Sequence, residues 1–396
     1  MPAPSPTADT DVQKAAITPL QIGLCAAACG VTVANIYYAQ PLIEPISAEF
    51  GLSANLAGLI VTITQLGYGA GLFFLVCLGD LLENRRLILS MTALTILGLI
   101  GIVLSPDGGV FLLFSFLLGM ASVGTQMLVP FVSFLAPPET RGRVIGNIMG
   151  GLLTGIMLSR PAASFLGAHF GWRAIFVVSI LVMAATFAVL WRILPERRPE
   201  ARMGYPVLLG STLDWLRTAR PLQRRAVYQG VMFAVFNLFW TAGPLMLHAR
   251  FGLGQDGIAL FALAGAGGAI AAPIAGRIAD RGAGSMATGI AMLGAAAAFV
   301  LSGFGTVWGS LAVLVLAVVV IDAMVQTNQI VSQRIIYALD DAARGRINSA
   351  FMTVVFLSGA IGSILGSLSY VDGGWWMTAG LGAVLCVAVW LFFRTE

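Results

Sequence analysis

Apolar runs of roughly twenty residues recur along this chain, and that recurrence constrains its fold more than any motif does. The run that opens at Leu311 is unbroken to Ile321, then meets Asp322 and the polar patch Gln326-Thr327-Asn328-Gln329. It closes in a charged loop that ends Arg344-Gly345-Arg346. A lipid-spanning helix needs about 20 mostly apolar residues. Segments of that kind fall at approximately 20–42, 54–77, 86–105, 109–135, 143–168, 172–194, 226–249, 257–277, 285–304, 307–334, 346–368 and 374–393. Only 10% of the 396 residues are charged, against about 25% in globular domains. Mean hydropathy is +0.90. So little charge cannot clothe a water-facing surface, and lipid must supply the solvent. The runs are continuous and not alternating, which selects helices over a barrel. The expected class is an all-α membrane protein with twelve transmembrane helices.

Charge sets the orientation. With both termini cytoplasmic, all but three of the 22 Lys and Arg fall inside. The exceptions are Arg173 and Arg250, which fall outside, and Arg160, which falls within a span. This is a strong positive-inside bias, and a multi-pass protein of a bacterial inner membrane is expected. Met1–Thr18 is polar and carries no evident cleavable signal, so it is expected to be a cytoplasmic tail.

The chain also repeats itself at an offset near two hundred residues. The first span ends Asn35-Ile36-Tyr37-Tyr38-Ala39-Gln40-Pro41-Leu42. The seventh ends Asn237-Leu238-Phe239-Trp240-Thr241-Ala242-Gly243-Pro244-Leu245, the same order of types with one insertion. The loop Gly79-Asp80-Leu81-Leu82-Glu83-Asn84-Arg85-Arg86 is echoed by Gly276-Arg277-Ile278-Ala279-Asp280-Arg281-Gly282, and Arg141-Gly142-Arg143 by Arg344-Gly345-Arg346. These landmarks divide the chain into a tail (1–18), a six-helix bundle (19–195), a cytoplasmic linker (196–225) and a second six-helix bundle (226–396). A short surface helix is expected around Leu208–Thr218.

Twelve spans in two repeats, a paired acidic-basic loop and a long central loop resemble the major facilitator superfamily across the whole chain. Tyr37-Tyr38-Ala39-Gln40-Pro41-Leu42 and Arg160-Pro161 resemble a bacterial branch near the sugar-efflux and drug:proton antiporters. The resemblance implies two pseudo-symmetric six-helix bundles that rock about a central site. It also implies a cytoplasmic latch. Asp80 and Arg85 match the family's loop motif, with Arg86 beside them, and Gly276, Asp280 and Arg281 match it in the second copy. Val76, Leu81, Glu83 and Asn84 depart from the motif. Plain topology anchoring by the arginines is the alternative. The antiporter signatures are only partly kept: Ser115 stands where an Arg is usual, and Arg160, Ser164 and Phe165 stand where glycines are usual. Gly151 and Gly155 leave a small-residue packing face.

Two charges lie deep in spans. Asp322 is about 12 residues from Arg334 and about 14 from Trp308, which places it near mid-membrane. An ionised carboxylate there costs about 3 kcal/mol on insertion scales, which suits a group that loads and unloads a proton. A structural Asp paired with Arg is the alternative. Arg160 lies about 17 residues past Arg143, in the outer part of the membrane. It can bind an anion, serve as counter-ion to Asp322, or snorkel to the outer interface. The family fold implies that spans 1, 4, 7 and 10 line the substrate cavity. These spans offer Asn35, Tyr37, Tyr38, Gln40, Gln126, Phe131, Phe236, Asn237, Trp240, Gln326, Asn328 and Gln329. Asn328 and Gln329 are neighbours on one helix and cannot both face one cavity.

Enzyme chemistry finds little support. No phosphate-binding Gly-x4-Gly-Lys loop occurs, and Cys25, Cys29, Cys77 and Cys386 have no metal-ligand company. The basic residues are divided among loops, which argues against nucleic acid. The expectation is a monomeric secondary transporter, without cofactor, energised by the proton gradient. Its partners are a small-molecule substrate, protons and the lipid bilayer. Export of a small organic compound is preferred. The alternatives are proton-coupled uptake of an organic anion on Arg160, and a non-transporting sensor or lipid-handling protein on the same fold.

Overall fold

The computed structural model describes residues 18–53, 56–137, 140–199, 204–265, 267–268, 283–340 and 343–396. Helix α1, Pro19–Ala34, opens on a capping box: Thr18 accepts from the Gln21 amide, Gln21 reaches back to Thr18, and Pro19 takes the first helical position. It stops at residue 34, eight residues short of the expected span. The segment Asn35–Ala39 runs on in turns, and Gln40–Leu42 form a 3-10 turn. Pro41 has no N–H to donate and disfavours helix in the residue before it. The bonds here are of the shorter three-residue kind, such as Tyr37 N–H to the Ala34 carbonyl at 3.0 Å. Non-helical backbone at membrane depth is tolerated only inside protein, and this stretch is buried from Ala34 to Leu42. A short helix α2, Ile43–Phe50, ends at Gly51 in the left-handed region.

Helices α3 (Leu59–Phe74) and α4 (Asn84–Val103) follow. The Glu83 carboxylate caps α4, accepting from the Arg85 and Arg86 amides at 2.8 Å. The expected span 109–135 is two helices, α5 (Gly108–Ala121) and α6 (Gly124–Leu135), broken at Ser122-Val123. Helices α7 (Arg141–Phe170) and α8 (Arg173–Ile193) complete the first half. The linker helix α9, Tyr205–Thr218, starts three residues earlier than expected. The second half holds α10 (Arg220–Phe251), α11 (Gln255–Gly265), α12 (Gly284–Val307), α13 (Leu311–Tyr337) and α14 (Arg344–Phe393). α14 contains two expected spans, joined where Gly373 and Gly374 leave helical geometry. Much of the eighth span lies outside the described residues.

Among the described residues, eight helical stretches are long and apolar enough to cross a membrane. α7 is long enough but falls outside that group because it is rich in Gly, Ser and Arg. Its composition reflects what it faces, which is protein and cavity as well as lipid.

Glycine seams hold each half together. A Cβ on Gly155 of α7 would lie 2.1 Å from the Gly30 carbonyl oxygen of α1. In the second half, a Cβ on Gly362 of α14 would lie 2.0 Å from the Ala234 carbonyl oxygen of α10. These are corresponding helix pairs of the two repeats. The backbones approach so closely because no side chain intervenes. The halves meet where α3 packs on α14 and α7 packs on α11.

Candidate functional site

A cavity of about 740 Å³ lies between the halves. It is walled by α6, α7, α10, α13 and the first part of α14, with Tyr37 and Tyr68 contributing from the α1 and α3 side. It reaches the face that carries Asp80, Arg141, Arg344 and Arg346. At its far end Asp322 and Arg160 are both buried, 8% and 4% exposed.

Trp240 contacts both of those charges, which make no ion pair with each other. Its Nε1–H donates to Asp322 Oδ1 at 3.1 Å. Its ring receives the Arg160 guanidinium at 4.5 Å from the centroid. Tyr37 and Phe236 complete an aromatic cage around Arg160, at 5.0 and 4.9 Å. Such stacking stabilises a desolvated guanidinium by about 2 kcal/mol. Arg160 Nε also donates to Gln40 Oε1 at 2.7 Å. From there the polar contacts cross to the other half: Gln40 donates to Asn237 Oδ1 at 2.9 Å, and Gln65 donates to the same oxygen at 3.2 Å.

A second polar chain spans the halves along the cavity wall. Gln126 donates to the Tyr68 hydroxyl at 3.2 Å, Asn348 donates to Gln126 Oε1 at 3.3 Å, and Tyr337 donates to Asn348 at 2.8 Å.

The structure divides the expected cavity residues. Tyr37, Gln126, Phe131, Phe236, Gln326 and Gln329 line the cavity. Gln40, Asn237 and Trp240 stand behind its end wall and hold Arg160 and Asp322 in place. Asn35 points into the first bundle, accepting from Ser179 at 2.6 Å. Tyr38 packs edge-on against Phe176. Asn328 turns to α10 and donates to Gln229 at 2.7 Å. Asn35 and Tyr38 lie off the cavity because they sit in the turn segment buried inside the first half, and Asn328 because its amide is taken up by α10.

The expected latch is similarly divided. Asp80 stands on the cavity rim, and the charges that act on it are Arg346 of the second half and Arg197 of the linker. Arg85 and Arg86 do not reach the second half: Arg85 pairs with Glu196 at the start of the linker at 3.7 Å and Arg86 with Glu83 at 3.6 Å. Gly276, Asp280 and Arg281 lie outside the described residues. Arg197 was not legible as a partner of this loop. It exchanges backbone and side-chain bonds with Asn84, the side-chain bond at 3.1 Å. Gln65, Tyr68 and Asn348 were also not singled out by sequence. The signal for Gln65 was there, since it is an amide inside an apolar span.

On the opposite face, Glu49 accepts from Trp172 Nε1 at 2.6 Å and pairs with Arg173. The Arg173 and Trp172 hydrogen bonds hold the Glu49 carboxyl below the usual glutamate range. His169 of α7 lies 3.6 Å from Asp256 of α11, an ion pair between the halves when the imidazole is protonated.

Two helical halves around a central polar-ended cavity, with helices long and apolar enough to cross a membrane, define a helical membrane protein with an internal cavity. The sequence matches the Major Facilitator Superfamily profile over residues 22–363. The chain belongs to that superfamily, and is therefore a secondary transporter of small molecules. It is 40% identical to the uncharacterized transporter YgaY of Escherichia coli O157:H7, over 96% of this chain and 98% of that protein. It is 25% identical to the purine ribonucleoside efflux pump NepI of Escherichia coli (strain K12), over 68% of this chain and 66% of that protein. A crystal structure of a POT family transporter in complex with a thioalcohol-conjugated peptide shares the fold. Its TM-score is 0.79 at 13% identity, covering 95% of this chain and 96% of that one.

Proposed function

We propose that this protein moves a small organic compound across a bacterial inner membrane by alternating access, coupled to protons through Asp322. One observation carries the reading: a buried carboxylate shares the cavity end with a buried guanidinium, the two make no ion pair, and Trp240 contacts both. A carboxylate so placed can exchange a proton with the cavity without first breaking a salt bridge. The proton gradient is the energy source, and no cofactor is needed. The rim residues Asp80, Arg197 and Arg346 are proposed as the cytoplasmic latch of the opposite conformation.

Export is supported by the likeness to NepI, an efflux pump. Uptake of an organic anion is the second reading, supported by the position of Arg160 in the cavity wall. In proteoliposomes, an imposed pH gradient should drive transport of a compound first identified by thermal shift, and Asp322→Asn should abolish the driven flux. Downhill exchange should persist in that variant. Undiminished gradient-driven flux in folded Asp322→Asn removes the coupling role, and the sign of the gradient that drives uptake decides the direction.

A further inference from the structure

Arg160 has a donor to spare. Its Nε is taken by Gln40, but its Nη2 has no hydrogen-bond partner among the described residues, although the side chain is 4% exposed. It makes no ion pair with a described carboxylate, and Trp240 contacts both it and Asp322. A buried, unpaired guanidinium N–H is costly, and this one borders the cavity. A second observation agrees. The described cavity wall carries five arginines and two aspartates, with no other charged side chain. That imbalance makes the cavity attractive to anions. Between rim and end, one part of the wall is apolar, with Leu152 and Ile156 of α7, Phe131 and Phe356, beside the polar chain through Gln126 and Asn348.

We propose that Arg160 is the anchor for an organic monocarboxylate with an apolar body, and that an acid of this class is the transported substrate. The carboxylate takes the Nη2–H, a charge-assisted bond in a site with little water. The body lies along the α7 wall. Trp240 is the positioning residue: it holds the guanidinium face-on and its edge holds Asp322. An anion on Arg160 neutralises the charge that Asp322 faces, so the loaded site is electrically balanced when Asp322 carries a proton. The acid and a proton then load together, which follows the uptake reading and not the export reading. The groups facing Asp322 from the described elements are Arg160 of α7 and Trp240 of α10, with the Tyr37 phenol across the cage; α12 carries no charged side chain, and Gly268, beyond the end of α11, lies against Asp322. Arg344 and Arg346 of α14 stand at the rim. Only the joint loading rests on the coupling role proposed for Asp322; the anchor stands or falls alone.

The purified full chain in detergent is titrated with benzoate, naphthoate and octanoate, each against its uncharged amide. Binding is read by thermal shift and by tryptophan fluorescence. At least one acid is expected to bind about tenfold or more tightly than its amide, and to lose about tenfold or more in Arg160→Gln. Arg160→Lys, which keeps the charge, retains part of that preference. The wild type binds the acid more tightly at about pH 5.5 than at about pH 7.5, and Asp322→Asn removes that difference. The anchor is overturned if no acid exceeds its amide, or if folded Arg160→Gln and Arg160→Lys bind the acid as the wild type does. Binding that depends on Arg160 but not on pH overturns joint loading alone.

Discussion

Trp240 shows how much one side chain can organise. Its indole edge serves a carboxylate and its face serves a guanidinium, so two opposite charges share a site without neutralising each other. Trp240→Phe keeps the face and removes the N–H. A lost hydrogen bond to a buried charged group costs about 1.5–3 kcal/mol, so thermal unfolding in detergent should move to lower temperature. Trp240→Ala also removes the stacking and leaves a void, and should cost about 3–5 kcal/mol. Equal stability of Trp240→Phe and wild type would mean that the bond to Asp322 contributes nothing. A second residue-scale prediction lies on the opposite face. Arg173 and Trp172 depress the Glu49 carboxyl. A carboxyl lowered on folding adds stability above the usual glutamate range, and that stability is lost as pH falls through the lowered value. Glu49→Gln should therefore destabilise modestly at neutral pH, since the Glu49 side chain is 43% exposed, and converge on wild type as acid protonates the carboxyl. A constant difference across that pH range would contradict the assignment. Asp322 and Arg160 were legible because charge deep in an apolar run stands out. The bond from Trp240 was not, because nothing in one sequence says that residues 82 positions apart will touch.

At the scale of elements, seams of backbone contact explain which glycines matter. Gly155 meets Gly30 across the α1–α7 crossing, whereas nothing lies within 4 Å of where a Cβ would stand on Gly146, on the same helix. Gly155→Ala must pry two helices apart, at a cost of about 1–3 kcal/mol. Gly146→Ala should be neutral or stabilising by up to about 1 kcal/mol, since Ala is the better helix former. Unfolding temperatures of the pair test the contrast, and a similar loss in both would place the cost elsewhere than the seam. The small-residue face of Gly151 and Gly155 could be read from spacing. Helix rotation could not. α10 is buried almost all round, and an apolar helix with no polar face carries no sequence record of which side meets the cavity. Asn328 and Gln329, adjacent amides on α13, were also indistinguishable until the partner of Asn328 and the cavity position of Gln329 were known. The 3-10 turn that replaces the end of the first span had a local marker in Pro41, but the continuous apolar composition masked it.

At the scale of the whole molecule, the cavity reaches the arginine-rich face, and the opposite side is closed by contacts between the halves. Asn237 is central to that closure. One oxygen accepts from Gln40 and from Gln65, both in the first half. Thr62 adds a bond to the Ala360 carbonyl at 3.2 Å, and Gly58 lies against Ser363 and Ser367. Rocking the halves to the other conformation must break the amide junction, which also releases Gln40 from its place between Arg160 and Asn237. The junction therefore connects the state of the closed side to the residue proposed to hold the substrate. Interhelical hydrogen bonds in membranes contribute about 0.6 kcal/mol each. Two such bonds are worth about 1.2 kcal/mol, so Asn237→Ala should shift the conformational balance about eightfold toward the state open on that side. The remaining bond of Asn237, to the Phe233 carbonyl within α10, has no counterpart across the halves. Spin labels at Leu56 and Val371, both exposed and near the closing contacts, report the shift as a longer distance population. Asn35→Ala is the matched control, because Asn35 bonds only within the first half and should leave the distances unchanged. If Asn237→Ala and Asn35→Ala give the same distribution as wild type, closure is carried by packing of α3 on α14 and not by the amide junction, and Arg160 is then free of the gate.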